Sequence, residues 1–162
     1  MTKAPAEVLR LRPVAAEDEA FLRKVYASTR ATELAQVPWS AEQKAAFCDM
    51  QFTAQDTHYR ANFTQAEYWV IERESVPAGR LYMERRDAEI HVIDIALLPE
   101  HQRSGFGTYL LKELMDEAAA EGKKVTIYVE KFNPALKLYQ RLGYRHVEEL
   151  GVYYLMEWLP AR

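Results

Sequence analysis

The sequence predicts a mixed α/β (α+β) fold built on one sheet. Three observations carry that expectation. Short apolar runs recur along the chain, several of them alternating with polar residues as a half-buried strand does. Stretches with apolar residues at helical spacing lie between them. The early strands sit a turn apart, as in a meander, whereas the later ones are divided by a whole helix, as in a crossover. At 162 residues the chain has the size of a single domain, 1–162, long enough to bury a core.

Val8-Leu-Arg-Leu-Arg-Pro13 alternates apolar and charged residues up to a proline, so it opens the sheet. From Ala16 to Thr32, Phe21, Leu22, Val25 and Tyr26 keep helical spacing behind an acidic first turn. Ser40-Ala-Glu-Gln43 forms a capping box after Pro38 and starts a second helix through Phe47, Met50 and Ala54 towards Tyr59. Tyr68-Trp-Val-Ile-Glu72 reads as a strand, Ser75 to Gly79 as a turn, and Arg80 to Arg85 as the paired strand. A turn near Asp87 then feeds a strand from Glu89 to Leu98. The helix from Gly105 to Ala120 turns Leu110, Leu111, Leu114, Met115 and Ala118 inward and Lys112, Glu113, Asp116 and Glu117 outward, and Gly122 caps it. Val125 to Glu130 is a strand, and Asn133-Pro134 caps the next helix. Arg145 to Trp158 splits at Gly151 into a closing hairpin.

The chemistry gathers between Leu97 and Leu111. An apolar strand is stopped there by Pro99, Gly105 and Gly107 follow, and a helix begins at once. A strand end, a glycine-bearing loop and a helix start aim several unpaired backbone N–H groups at one point. The helix dipole adds partial positive charge, so the place suits a phosphate or pyrophosphate. A Walker-type loop would need Lys and then Ser or Thr after its last glycine, but Thr108 and Tyr109 follow Gly107. A dinucleotide fingerprint would need Gly or Ala where Leu110 stands. The remaining pattern, Gln/Arg-x-x-Gly-x-Gly/Ala, is met by Gln102, Gly105 and Gly107. With its strand and helix, the stretch resembles the acyl-coenzyme A loop of the GNAT family of N-acetyltransferases. Downstream, Val125-Thr-Ile-Tyr-Val-Glu130 leads into Asn133-Pro-Ala-Leu-Lys-Leu-Tyr139-Gln-Arg-Leu-Gly143-Tyr144, which is similar to the family's second signature.

That resemblance implies a mostly antiparallel sheet of about seven strands flanked by about four helices, with its central strands splayed apart. It implies acetyl-CoA (coenzyme A) as co-substrate and no metal. Main-chain groups near Ala96, Leu97 and Leu98 would meet the pantetheine, and a backbone N–H near Leu97 would hold the oxyanion. The N–H groups of Arg103, Ser104, Gly105, Phe106, Gly107 and Thr108 would bind the pyrophosphate beside Gln102, and Asn133 would hydrogen-bond the pantetheine as well as cap its helix. Arg103 offers either an added phosphate cation or a solvated surface charge. Tyr139 resembles the family's general acid; a phenol of pKa ~10 can protonate a thiolate of pKa ~8.5 only when hydrogen-bonded to it in place. His91 lies eleven positions before Gln102, where some family members place a histidine or glutamate base. A neutral imidazole of pKa ~6.5 can accept a proton at neutral pH. Asp94 is the second candidate base, expected by simple alternation on the strand face opposite His91. Glu130 is a third, and a water chain could replace all of them.

Composition narrows the partners. A net charge of −3 and the lack of a basic stripe argue against nucleic acid. Cys48 is the single cysteine, which excludes a disulfide framework and reads as a small buried apolar residue rather than a nucleophile. Direct transfer in a ternary complex is therefore expected over a covalent route. The amino-terminal stretch lacks an apolar leader, and no apolar run approaches the ~20 residues that span a bilayer, so the expected setting is cytoplasmic, away from membranes. The amine acceptor, a small molecule or peptide, would sit among the first two helices and the closing hairpin. Arg30, Glu33, Trp39, Phe47, Gln51, His58, Tyr59, Tyr153 and Tyr154 offer aromatic and charged groups there that suit core packing equally well. The hairpin edge could pair across a two-fold axis to give a homodimer. Two other readings use the same residues: a non-catalytic acyl-CoA-binding sensor, and a nucleotide-binding domain with another phosphate ligand.

Overall fold

The computed structural model describes residues 4–161. Met1 to Lys3, which begin the stretch read above as lacking a leader, and Arg162 lie outside the described residues. In chain order the elements are α1 (Pro5–Val8), β1 (Leu9–Pro13), α2 (Glu19–Leu34), α3 (Ala41–Asn62), β2 (Ala66–Arg73), β3 (Val76–Arg85) and β4 (Glu89–Leu97). Then come α4 (Phe106–Ala120), β5 (Lys124–Glu130), α5 (Leu136–Arg141), β6 (Arg145–Leu150) and β7 (Tyr153–Trp158). The strands form one seven-stranded sheet in the order β1-β2-β3-β4-β5-β7-β6. Every neighbouring pair is antiparallel except β4 and β5, which α4 connects as a parallel crossover. The α/β class and the mixed sheet are as the sequence predicts, with five α-helices among the described residues rather than about four, the extra one being α1.

The crossover divides the core by face. Phe106, Leu110, Leu111, Leu114, Met115 and Ala118 of α4 bury against Leu81, Met83, Ile90, Val92, Val125, Ile127 and Val129. On the opposite face, Leu22 and Tyr26 of α2 pack with Phe52 of α3. The Ser40 capping box forms as expected: Ser40 Oγ accepts from the Gln43 N–H at 3.1 Å, and Gln43 Oε1 accepts from the Ser40 N–H at 2.9 Å. Two local expectations need correction. The β2–β3 turn is Glu74-Ser75, at φ 48° and 69°, and Val76, Pro77 and Gly79 already lie in β3. Helix α5 starts at Leu136, not at Pro134; Asn133 instead makes a turn ahead of it, its Oδ1 accepting from the Ala135 N–H at 2.9 Å.

The feature that positions the site is a fork in the sheet. Strands β4 and β5 share only the pairs from Glu89–Lys124 to Val92–Ile127. Beyond these, β4 continues to Leu97 and β5 to Glu130 without pairing to each other. The cause is local on both sides. Met83 pairs with Val92 and Tyr82 with Asp94, so Ile93 is an extra residue whose bulge bends β4. Strand β5 meanwhile stays paired to β7 as far as Glu130–Tyr153 and follows it away.

Gly79 lets β3 stay close to the bent strand. A Cβ there would lie 2.2 Å from the Ala96 carbonyl oxygen and 2.9 Å from Leu97 Cα. Gly79→Ala should therefore push the end of β4 off β3 and cost about 1–3 kcal/mol. Denaturant unfolding checks the cost; an unchanged midpoint would show that β4 is not held by this contact.

Candidate active site

At the end of β4 the chain makes a short turn, with the His101 N–H on Leu98 O at 2.9 Å and the Gln102 N–H on Pro99 O at 3.2 Å. Arg103 (φ 58°) and Gly105 (φ 81°) then take left-handed conformations, and the ladder of α4 begins with the Tyr109 N–H on Gly105 O at 2.9 Å. Between these bonds, the backbone N–H groups from Arg103 to Thr108 have no partner among the described residues. They sit where the positive end of the α4 dipole adds to them. The neighbouring side chains hold the loop in place. Gln102 Nε2 donates to Leu97 O at 2.8 Å, Ser104 Oγ donates to His101 O at 2.8 Å, and the Phe106 ring is in the core.

The register fixes which main-chain groups of β4 face the fork. The Leu98 N–H donates to Ala78 O at 2.9 Å, so it is already spent on β3. Alternation along an antiparallel ladder puts Ala96 in the same phase and turns the groups of Ile95 and Leu97 outward. The bond from Gln102 to Leu97 O shows the same orientation. Of Ala96, Leu97 and Leu98, only Leu97 therefore offers its backbone to the gap, and Ile95, absent from the sequence reading, joins it.

Three candidate proton carriers surround the fork. Tyr139 on α5 is 5% exposed within the α4-side core, its ring edge-on to Tyr144 at 5.6 Å. Burial first, and then the negative charge of Asp94, push its pKa well above the usual phenol value. The influence of Asp94 reaches Tyr139 although the carboxylate belongs to the other face. The bulge at Ile93 also overturns simple alternation: His91 pairs with Glu84 and Asp94 with Tyr82, so both project from the α3 face rather than from opposite ones.

Asp94 is anchored by a residue the sequence did not reveal. Arg80, 2% exposed, donates from Nε to Asp94 Oδ2 at 2.6 Å and from Nη2 to Gln55 Oε1 on α3 at 2.8 Å. Its guanidinium also lies 4.8 Å from the centre of the Tyr82 ring. Burial alone would lower the pKa of Arg80, but Asp94 and Tyr82 outweigh it and hold the cation. Tyr59 and Tyr153 stand near the same carboxylate; burial raises both phenol pKa values and Asp94 adds to each shift.

His91 is a different kind of group. It is 2% exposed, its Nδ1 lies 2.9 Å from Thr126 Oγ1, and Thr126 Oγ1 donates to Glu89 Oε2 at 2.7 Å. Burial first and Arg86 second lower its pKa to about 4, so it is neutral at pH 7 but a poor proton acceptor. Glu130 is engaged by Arg30 at 3.6 Å, and Arg30 also meets Glu33 at 3.1 Å and Tyr26 Oη at 3.2 Å. Of the other acceptor candidates, Trp39 packs edge-on against Phe47, His58 is held by Asn62, and Tyr154 faces the α4-side core. Cys48 is buried with its thiol pKa raised by burial, which keeps it protonated.

Known proteins resemble this chain in sequence and in fold. The profile described as the acetyltransferase (GNAT) family matches residues 16–144. The chain belongs to the GNAT acetyltransferase family. Two curated relatives, the N-alpha-acetyltransferases of Sulfurisphaera tokodaii and Saccharolobus solfataricus, are each 36% identical over 67 residues, 40% of this chain. The matched stretch spans 40% of the length of each of those relatives. The PaiA N-acetyltransferase of Thermoplasma acidophilum, solved in complex with coenzyme A, superposes with a TM-score of 0.69 at 17% identity, covering 93% of this chain and 98% of that one. That protein shares the fold. Among the described residues, no helix is long and apolar enough to cross a membrane.

Two outcomes follow from the buried groups. Asp94→Leu alone should cost about 3–5 kcal/mol by stranding the buried Arg80 guanidinium, Arg80→Met alone should cost less because the Asp94 side chain is only partly buried, and the two together should recover most of the larger loss. A double-mutant cycle in denaturant checks this, and additive losses would deny the pair. For His91, the unfolded chain binds a proton near pH 6.5 and the folded one only near 4, so stability is full above pH 6.5 and falls as pH drops towards 4. The gap is worth about 3 kcal/mol at most. His91→Gln should flatten that part of the unfolding profile between pH 6.5 and 4 relative to the parent protein.

Proposed function

We propose that this protein transfers an acetyl group from acetyl-CoA to a primary amine of a small molecule or peptide, by direct attack in a ternary complex. The observation that carries this reading is the run of unpartnered amides from Arg103 to Thr108, opening beside a fork flanked by Tyr139 and Asp94. Those amides bind the pyrophosphate, and the outward groups of Ile95 and Leu97 hold the pantetheine in the gap. Acetyl-CoA supplies the activated acyl carbon; the chain's own groups manage charge and protons around it. A fork N–H from Ile95 or Leu97 stabilises the carbonyl oxygen as negative charge develops. Asp94, with one carboxylate oxygen on Arg80, receives the amine and takes its proton as the nitrogen bonds to carbon and becomes acidic. Tyr139 gives its proton to the departing sulfur, which is as poorly solvated in that setting as the phenolate left behind.

Asp94 is preferred to His91 as base on position: it lies beyond the last β4–β5 pair, whereas His91 sits within the paired part of the two strands with its Nδ1 on Thr126. The names of the two curated relatives favour a peptide amino terminus among the amines, and the coenzyme A complex of the structural relative favours the donor.

Release of CoA thiol should be measured across amino acids, polyamines, arylalkylamines and peptide amino termini. Tyr139→Phe should lower kcat by about a hundredfold or more while leaving coenzyme A affinity nearly intact. Coenzyme A binding with no turnover on any amine would instead make the protein a sensor. Thermal stabilisation by ATP or NAD but not by coenzyme A would mark it as a nucleotide-binding domain.

A further inference from the structure

Below the fork, on the α3 face, a cavity of about 270 Å³ opens beside His91. Phe63, at the end of α3, lies nearly parallel to the imidazole (17°, 5.8 Å between centres), Tyr128 stands edge-on to it at 5.5 Å, and Leu155 closes the apolar wall. We propose that this cavity is a side-group pocket for the acceptor, taking a neutral, ring-sized group whose hydroxyl or N–H donates a hydrogen bond to His91 Nε2. The identity of its ligand as the acceptor rests on the acetyltransferase reading above; the pocket's chemistry does not.

The hydrogen-bond chain dictates that chemistry. Thr126 has one hydroxyl proton and donates it to Glu89. Burial opposes ionisation of Glu89, but Thr126 and Arg86, whose Nη1 lies 2.9 Å from Oε1, outweigh it and hold the carboxylate ionised, so it can only accept. Thr126 Oγ1 must then accept from His91, which puts the imidazole proton on Nδ1 and leaves a lone pair on Nε2. Nε2 has no partner among the described residues, although the side chain is almost wholly buried. The depressed pKa of about 4 keeps the ring neutral, so it presents a hydrogen-bond acceptor and no charge.

The rim rejects charged groups because its own charges are satisfied. Arg86 is paired with Glu84 and Glu89, and Lys124 with Glu157 at 3.1 Å. A charged ligand group would lose its water there for no unpaired counter-charge. Position completes the case. His91 and Asp94 share a face and lie three residues apart, so at a strand rise of ~3.3 Å per residue they stand about 7–10 Å from each other. That distance suits an amine at Asp94 joined by a short linker to a ring in the cavity.

The test compares matched acceptors: tyramine with O-methyltyramine and phenethylamine. The hydroxyl-bearing amine should exceed its partners about three- to tenfold in kcat/KM, chiefly through KM, and His91→Leu should abolish that preference. Thr126→Val removes the lock on Nδ1, lets the proton move to Nε2, and should reverse the preference towards the methoxy compound. Nitrogen-15 NMR of the histidines gives a readout free of turnover: wild-type His91 should be protonated at Nδ1, with tyramine but not phenethylamine shifting its Nε2 resonance. Protonation at Nε2, equal kinetics within the matched set, or a preference that survives His91→Leu would overturn the proposal. If other amines release CoA thiol but no arylalkylamine binds, the pocket assignment fails and the acetyltransferase reading stands. If tyramine shifts Nε2 yet no amine is acetylated, the pocket stands and that reading fails.

Discussion

Hydrogen bonding between β4 and β5 ends at Val92 and Ile127, and the site is built around what that ending leaves free. A continuous sheet would satisfy every main-chain group of both strands with each other. Here the bulge at Ile93 bends one strand while β7 draws the other away, so the groups of Ile95 and Leu97 are left facing a gap. Gln102 ties the loop that follows to Leu97. The amides of the α4 start and the open edge of β4 therefore lie together as one unit. The apolar face of α4 sets its position, with Leu111 and Ala118 almost fully enclosed.

The same bulge organises the charges. By shifting the phase of β4 it brings Asp94 to the face that carries Arg80, Tyr82 and His91. A buried guanidinium is tolerable only with partners, and Arg80 has Asp94 on Nε, Gln55 on Nη2 and the Tyr82 ring beside it. The histidine is arranged the opposite way. Its neighbours are rings and an already committed hydroxyl, so burial wins over the nearby carboxylates and the ring stays neutral. Two side chains three positions apart thus have opposite surroundings, one against a buried cation and one among rings.

What the sequence disclosed depended on range. The capping box at Ser40, the buried stripe of α4 and the glycine loop are written within a few residues each, and all three are legible by eye. The Glu74-Ser75 turn was missed because both residues take positive φ without being glycine or asparagine, so the punctuation fell on Pro77 and Gly79 instead. The facing of Asp94 depends on one unpaired residue, Ile93, and nothing in an apolar run of β-branched residues marks where a bulge will fall. Arg80 carried a faint signal, a lone charge within Ala-Gly-Arg-Leu-Tyr-Met, on the same alternating face as Tyr82. Its partner on the next strand could be named only once the register was known.

Tyr139 belongs to the core beneath α4, and Asp94 to the face under α3, yet the carboxylate is felt by the phenol. The fork therefore sets a phenol and a carboxylate on opposite sides of one sheet, each held by a different set of neighbours. Repacking beneath α4 can retune the phenol while the guanidinium that anchors the carboxylate stays where it is, so the two halves of the site can change one at a time.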